Sequence, residues 1–259
     1  MMALAAAGVS VVAHGVENAP KPLRVLFIGN SYTFYNNLPD TIATLGARDG
    51  ANWTVKRYLR GGASFRTHWF DNLGEAAERV SDAKKRDPTR VGGLDKLLKE
   101  KWDAVVLQGQ SQEAIKAREE FLEYGRKLAE KIKASGCSRI LLYQTWARQA
   151  IPDQQSGLSE GYDTLAAATG AEVVRVGDAW AAAFKARPGL VLHVKDGSHP
   201  NDRGSYLAAC LFYRALSGRK AKGLPYDLPN VKWRRGGGTA PCYNLDAEIA
   251  SFLQGIADR

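Results

Sequence analysis

Five short apolar runs, each followed by a turn and most of them by a stretch of helical periodicity, set the tightest limit on what this chain can become. "LRVLFIG" (23–29), "WTVKRYL" (53–59), "DAVVLQG" (103–109), "RILLYQTW" (139–146) and "EVVRVGDAW" (172–180) read as strands, the second of them half-exposed. Their alternation with amphipathic stretches from Pro20 onward is the pattern of an α/β protein, a parallel sheet covered by helices on both faces. Helices are expected at "PDTIATLGARDG" (39–50) and over 157–170, 179–187, 202–216 and 246–257. The clearest one carries Phe121, Leu122, Gly125, Leu128, Ala129 and Ile132 at three- and four-residue steps, and Gly136 ends it. "LVLHV" (190–194) reads as a short edge element, and 74–101 as an inserted helix pair around Asp87-Pro88 and Gly92-Gly93. The stretch 217–244 is rich in Pro, Gly and basic side chains, and loops of such length are often functional. With no internal repeat and no clear linker, residues 20–259 read as one domain.

Composition excludes several classes of function. Six Trp, ten Tyr and eight Phe in 259 residues supply apolar area to offset the entropy of ordering. No run approaches the ~20 apolar residues that a membrane span requires. The net charge of 36 − 27 = +9 is dispersed, the densest groups being Lys84-Lys85-Arg86 and a stretch with Arg219, Lys220, Lys222, Lys232, Arg234 and Arg235. No basic-aromatic interleaving of a single-strand groove accompanies it, so these charges read as solvated surface and no nucleic-acid partner is expected. Cys137, Cys210 and Cys242 form no CxxC; an odd count permits one disulfide and a free thiol without choosing the pair. No H-E-x-x-H and no cluster of His and Asp ligands occurs, so no metal or other cofactor is expected. The start, "MMALAAAGVSVVAHG", resembles an export signal with Ala13-His14-Gly15 as a small-x-small cleavage site, although it lacks a basic residue ahead of the apolar stretch. Residues 1–19 are therefore read as a signal peptide or a disordered start, and the protein as exported to a periplasm or the outside.

In open parallel sheets, ligands bind at the carboxyl ends of the strands, so the polar residues there bear on function. Gly29-Asn30-Ser31-Tyr32 follows the first strand. It is neither a phosphate-binding G-x-G-x-x-G or P-loop turn nor the G-x-S-x-G elbow, since Thr33 stands where the second glycine belongs. Ser31 thus has two readings, a cap for the following turn or a nucleophile. At the far end, "KDGSHPN" holds Asp196 and His199 in a D-x-x-H turn ahead of a helix. A hydroxyl becomes a competent nucleophile when an imidazole takes its proton, and that imidazole needs an acceptor on its other nitrogen. One short loop can supply both, with Gly197 permitting the bend and Pro200 extending His199. Donors for a developing oxyanion are available from Gly62 in "RGGASF" and from Gln108 or Gln110 in "LQGQS". Asn36, His68 and Trp146 are weaker candidates for substrate contact, Trp146 as a sugar-stacking surface.

Ser31 in "GNSYTFYNNLP", Gly62 in "RGGASF", "LQGQS" and "DGSHPN" together resemble the blocks of the SGNH (GDSL-like) hydrolase superfamily, over residues 23 to about 216. The resemblance implies a flavodoxin-like three-layer α/β/α sandwich around a roughly five-stranded parallel sheet. It implies Ser31 as nucleophile, His199 as general base and acid, Asp196 as its orienter, and the N–H groups of Ser31 and Gly62 in the oxyanion hole. The third block departs from the usual G-x-N-D. Gln108-Gly109-Gln110-Ser111 looks like the Q-G-E-S variant of sialate O-acetylesterase and acetylxylan esterase-like members, and closer still to a branch with "GNSYT" and "LQxQS". Whether Gln108 or Gln110 replaces the asparagine stays open. The function expected is a serine esterase that removes O-acyl, in the first place O-acetyl, groups from a carbohydrate through a Ser-His-Asp triad and an acyl-enzyme, its partner being a small-molecule or glycan ester. The alternative is a non-catalytic glycan- or polyanion-binding protein with the same fold.

Overall fold

Strand β1 (Arg24–Gly29) divides its side chains by the two-residue period of a pleated strand. Val25 and Phe27 enter one core, Leu26 and Ile28 the other, and all four are fully buried. With β2 (Thr54–Leu59), β3 (Ala104–Leu107), β4 (Ile140–Tyr143) and β5 (Glu172–Val174) it forms an all-parallel sheet in the order β2-β1-β3-β4-β5. The computed structural model describes residues 22–48, 50–74, 91–235 and 238–259. The expected signal segment 1–19 and the Asp87-Pro88 part of the insertion lie outside the described residues.

The helices are α1 (Ser31–Phe34), α2 (Leu38–Ala47), α3 (Phe65–Leu73), α4 (Gly93–Leu98), α5 (Glu113–Lys116), α6 (Arg118–Ala134), α7 (Gln154–Thr169), α8 (Val176–Ala186), α9 (Asp202–Ser217) and α10 (Ala247–Ala257). α2, α8, α9 and α10 cover the face that carries Val25, Phe27, Val106, Leu141 and Tyr143. α3 to α7 cover the face that carries Leu26, Ile28, Val105, Leu107 and Leu142. The result is the three-layer α/β/α sandwich expected, each fully buried large side chain contributing roughly 1.5–3 kcal/mol. Since β2 and β3 flank β1 on opposite sides, the chain reverses its direction of winding at β1. A crevice opens there, beyond the carboxyl ends of β1 and β3, where Ser31 and the 108–111 segment emerge.

Two expected strands are shorter or absent. Only Glu172–Val174 of the run 172–180 pairs, because β4 offers it partners only from Leu141 to Tyr143. Beyond that, Gln144 accepts from the Asp178 backbone N–H and donates to its carboxylate, both at 3.0 Å, and Val176 already begins α8. "LVLHV" joins no sheet. Leu190 and Leu192 are apolar because they pack in the core, and His193 makes a single antiparallel bridge to Pro200. That bridge, with the Val194 N–H donating to the His199 carbonyl at 2.9 Å, buckles the loop holding Asp196 and His199. Within 217–244 a hairpin forms from β6 (Lys232–Arg235) and β7 (Gly238–Pro241). All three cysteines are free thiols, Cys137 and Cys210 buried. Among the described residues no helix is long and apolar enough to cross a membrane.

Candidate active site

The turn after β1 is organised by Asn30 rather than by Ser31. Asn30 is the extended N-cap of α1, and its side-chain oxygen accepts the Tyr32 N–H at 3.1 Å. The capping role is thus filled, and Ser31 begins the helix with its hydroxyl turned to another partner. The Asn30 amide nitrogen donates to the carbonyls of Ala63 (2.9 Å) and Gly109 (3.0 Å), while its backbone N–H donates to Gln108 Oε1 at 2.9 Å. One buried side chain therefore ties together the chain segments leaving β1, β2 and β3. Gly29 is required here, because a Cβ would come within 2.7 Å of both Gln108 Oε1 and Thr33 Oγ1.

On the opposing loop, Asp196 Oδ1 accepts the backbone N–H groups of Ser198 (2.8 Å) and His199 (2.9 Å). Its Oδ2 lies 2.6 Å from His199 Nδ1, and His199 Nε2 lies 2.8 Å from Ser31 Oγ. An ionised carboxylate can only accept, so Nδ1 carries the proton and Nε2 offers its lone pair to the serine hydroxyl. Burial pushes the Asp196 carboxyl up, but the His199 ring and the two backbone donors outweigh it and hold the group below its ordinary value. The imidazole is also held by aromatic neighbours. Tyr35 stacks on it (4.3 Å between centroids, 14°), and the Tyr32 ring meets it edge-on at 5.4 Å.

Ser31, Gly62, Gln110, Ser111, Arg148 and His199 line a small cleft of about 180 Å³. No acceptor among the described residues takes the N–H of Ser31 or of Gly62. Gly62 stands at φ +70°, a backbone conformation that favours glycine. Of the two glutamines, Gln108 is fully buried, its oxygen accepting from the Asn30 N–H and the Thr33 hydroxyl (both 2.9 Å) and its nitrogen donating to the Gly109 carbonyl. Gln110 faces the cleft, with Oε1 held by the Gln112 N–H at 2.9 Å. Its Nε2 donates to Ser111 Oγ at 3.0 Å, and of the two glutamines Gln110 is the one that lines the cleft.

The three weaker candidates are placed away from this cleft. Trp146 lines a neighbouring cavity, but Tyr32 (4.3 Å, 4°) and Trp180 (4.1 Å, 11°) stack on its two faces. His68 is fully buried, one ring nitrogen 3.0 Å from the Gly29 carbonyl. Asn36, at φ +50°, donates to Ser205 Oγ at 2.9 Å and shapes the turn before α2. Sequence reasoning missed Arg148 and Glu113. The signal for Arg148 was its position, just beyond the carboxyl end of β4.

No family model matches the sequence, and no curated protein matches it either. Solved structures do. A candidate SGNH hydrolase from Slackia heliotrinireducens is 27% identical, over 75% of this chain and 99% of that one, with a TM-score of 0.58. The chain is a member of the SGNH hydrolase superfamily. A DUF4886 family protein from Bacteroides uniformis shares the fold over 92% of this SGNH chain and 93% of its own, at 19% identity and a TM-score of 0.67. So does a catalytic mutant of an acetylxylan esterase from Geobacillus stearothermophilus, over 74% and 93%, at 15% identity and a TM-score of 0.52. At 27% identity the first of these ranges this chain with the SGNH hydrolases.

In this SGNH hydrolase Glu113 clamps two of the loops that border the cleft. Its buried carboxylate accepts the Gln110 N–H at 2.8 Å, and the Phe65 N–H reaches its two oxygens at 3.2 and 3.3 Å. Burial pushes the carboxyl up from 4.5 to about 7, against the pull of those two donors. A carboxyl raised in the folded state stabilises fully below its unfolded value, and that contribution is lost as pH rises through the folded one. The unfolding free energy of the wild type relative to Glu113→Gln should therefore fall by about 3 kcal/mol as the pH rises from below 4.5 to above 7. Urea unfolding of both proteins at a series of pH values measures this, and a difference that does not change with pH would contradict it.

Proposed function

We propose that this chain is a serine esterase that removes O-acyl groups, in the first place O-acetyl, from a carbohydrate alcohol. The observation that carries the reading is the unbroken series of hydrogen bonds from Asp196 through His199 to Ser31. In the first half-reaction Ser31 Oγ bonds to the carbonyl carbon while its proton passes to His199 Nε2. The oxyanion meets the N–H groups of Ser31 and Gly62 and the Gln110 amide, each donor being worth roughly 3–4 kcal/mol of barrier. Collapse breaks the carbon–oxygen bond to the alcohol, which leaves with the proton from Nε2. A water then gives its proton to Nε2 as its oxygen attacks the acyl carbon. The released Ser31 oxygen recovers that proton, and the acid departs.

Two observations favour a small acyl group on a sugar. The space beside Ser31 is only about 180 Å³, and an acetylxylan esterase is among the structures with this fold. The purified protein should hydrolyse 4-nitrophenyl acetate faster than the corresponding decanoate. It should also take up one fluorophosphonate group, located on Ser31 by peptide mass spectrometry. Folded protein that neither turns over the acetate nor takes up the probe would rule the esterase reading out.

A further inference from the structure

Arg148 leaves the end of β4 and lines two spaces at once. One is the cleft at Ser31; the other is a larger cavity of about 330 Å³ walled in part by Trp180, Phe184, Leu190 and His193. Among the described residues its guanidinium makes one hydrogen bond, from Nη2 to Ser111 Oγ at 3.0 Å. Its Nε is buried and has no acceptor among the described residues, and none of their carboxylates pairs with it. Arg118, Arg139 and Arg175 differ in this respect, each meeting a carboxylate at 2.7–3.0 Å on the surface.

We propose that Arg148 is a specificity-determining residue that binds a carboxylate carried by the alcohol portion of the ester. The proposal deepens the esterase reading and rests on it. A guanidinium stays charged in any protein environment, and no carboxylate among the described residues balances this one. Nη1 has no partner among the described residues and, unlike Nε, is not enclosed, so a carboxylate oxygen can meet it there with a charge-assisted hydrogen bond. One guanidinium balances one negative charge, which suits a carboxylate better than a dianionic phosphate. The acyl group occupies the small cleft, so the larger cavity on the other side of Arg148 is the space left for the alcohol and its anionic group.

The test uses two acetyl esters that differ in the charge of the leaving group, 4-acetoxybenzoate and 4-acetoxybenzamide, each corrected for spontaneous hydrolysis. The wild type should favour the anionic ester in kcat/KM by roughly tenfold or more, and the preference should shrink as sodium chloride is added. In Arg148→Gln the ratio should fall close to one, and Arg148→Lys should keep part of it. A wild-type ratio of one, or a ratio that Arg148→Gln leaves unchanged, overturns the proposal. Calorimetry without turnover separates it from the esterase reading. Ser31→Ala should bind 4-acetoxybenzoate, and Ser31→Ala with Arg148→Gln should not. Binding that depends on Arg148 in a protein that hydrolyses neither ester would keep the anion site and remove the esterase reading. Hydrolysis of both esters without charge preference would do the reverse.

Discussion

Replacing Ser31 by alanine should lower kcat/KM for 4-nitrophenyl acetate by about 10⁴- to 10⁶-fold and abolish fluorophosphonate uptake. In the proposed mechanism Oγ is the one protein atom that bonds to the acyl carbon, so no other group replaces it. The residual rate would come from the N–H groups of Ser31 and Gly62 and from Gln110, which still favour the oxyanion when water attacks directly. Stability should change little. Ser31 is only half-buried, its hydroxyl bonds to His199, and the cap on the following helix comes from Asn30. Thermal unfolding of the variant should therefore stay within about 0.5 kcal/mol of the wild type, which separates chemical loss from misfolding. Turnover that survives in a folded Ser31→Ala protein would assign the nucleophile elsewhere.

What was legible in the sequence was whatever a local pattern or a fixed position carries. The apolar runs gave the parallel sheet because both faces of β1, β3 and β4 are buried, and that burial leaves its mark within a few residues. Ser31, Gly62, Asp196 and His199 could be singled out because each stands at a strand end or in a turn of recognisable make-up. The choice between Gln108 and Gln110 could not be made, since it depends on which way each side chain leaves the end of β3. Gln108 turns inward beneath Asn30, whereas Gln110 turns out to the cleft. Trp146 looked like a stacking platform because nothing nearby in sequence reveals that Tyr32 and Trp180, on other elements, cover both its faces. "LVLHV" has the composition of a strand for a different reason, the packing of Leu190 and Leu192 against helices. Arg148 was passed over because an arginine in a loop is solvated in most proteins. Only the fold shows that its Nε is enclosed.

Asp196→Asn should lower kcat/KM by about 10⁴-fold while the loop keeps its shape, and the reason lies in geometry more than in charge. The Asp196 side chain is 45% exposed, and an ion pair in such a setting is worth about 1 kcal/mol or less. A 10⁴-fold loss corresponds to roughly 5.5 kcal/mol, far beyond what removing a screened charge can explain. The difference comes from the proton on the imidazole. In the variant the backbone N–H groups of Ser198 and His199 still need an acceptor, so the asparagine oxygen takes the place of Oδ1. Its NH₂ group then faces His199 Nδ1, which must become an acceptor, and the ring proton moves to Nε2. An Nε2 that already carries a proton cannot take the one on Ser31. Asp196→Ala should lose the backbone contacts as well, so it should add a fall in stability that Asp196→Asn lacks. Steady-state kinetics and thermal unfolding of both variants measure the two effects separately. A loss under tenfold in Asp196→Asn would mean that this carboxylate only shapes the loop and that His199 finds its tautomer without it.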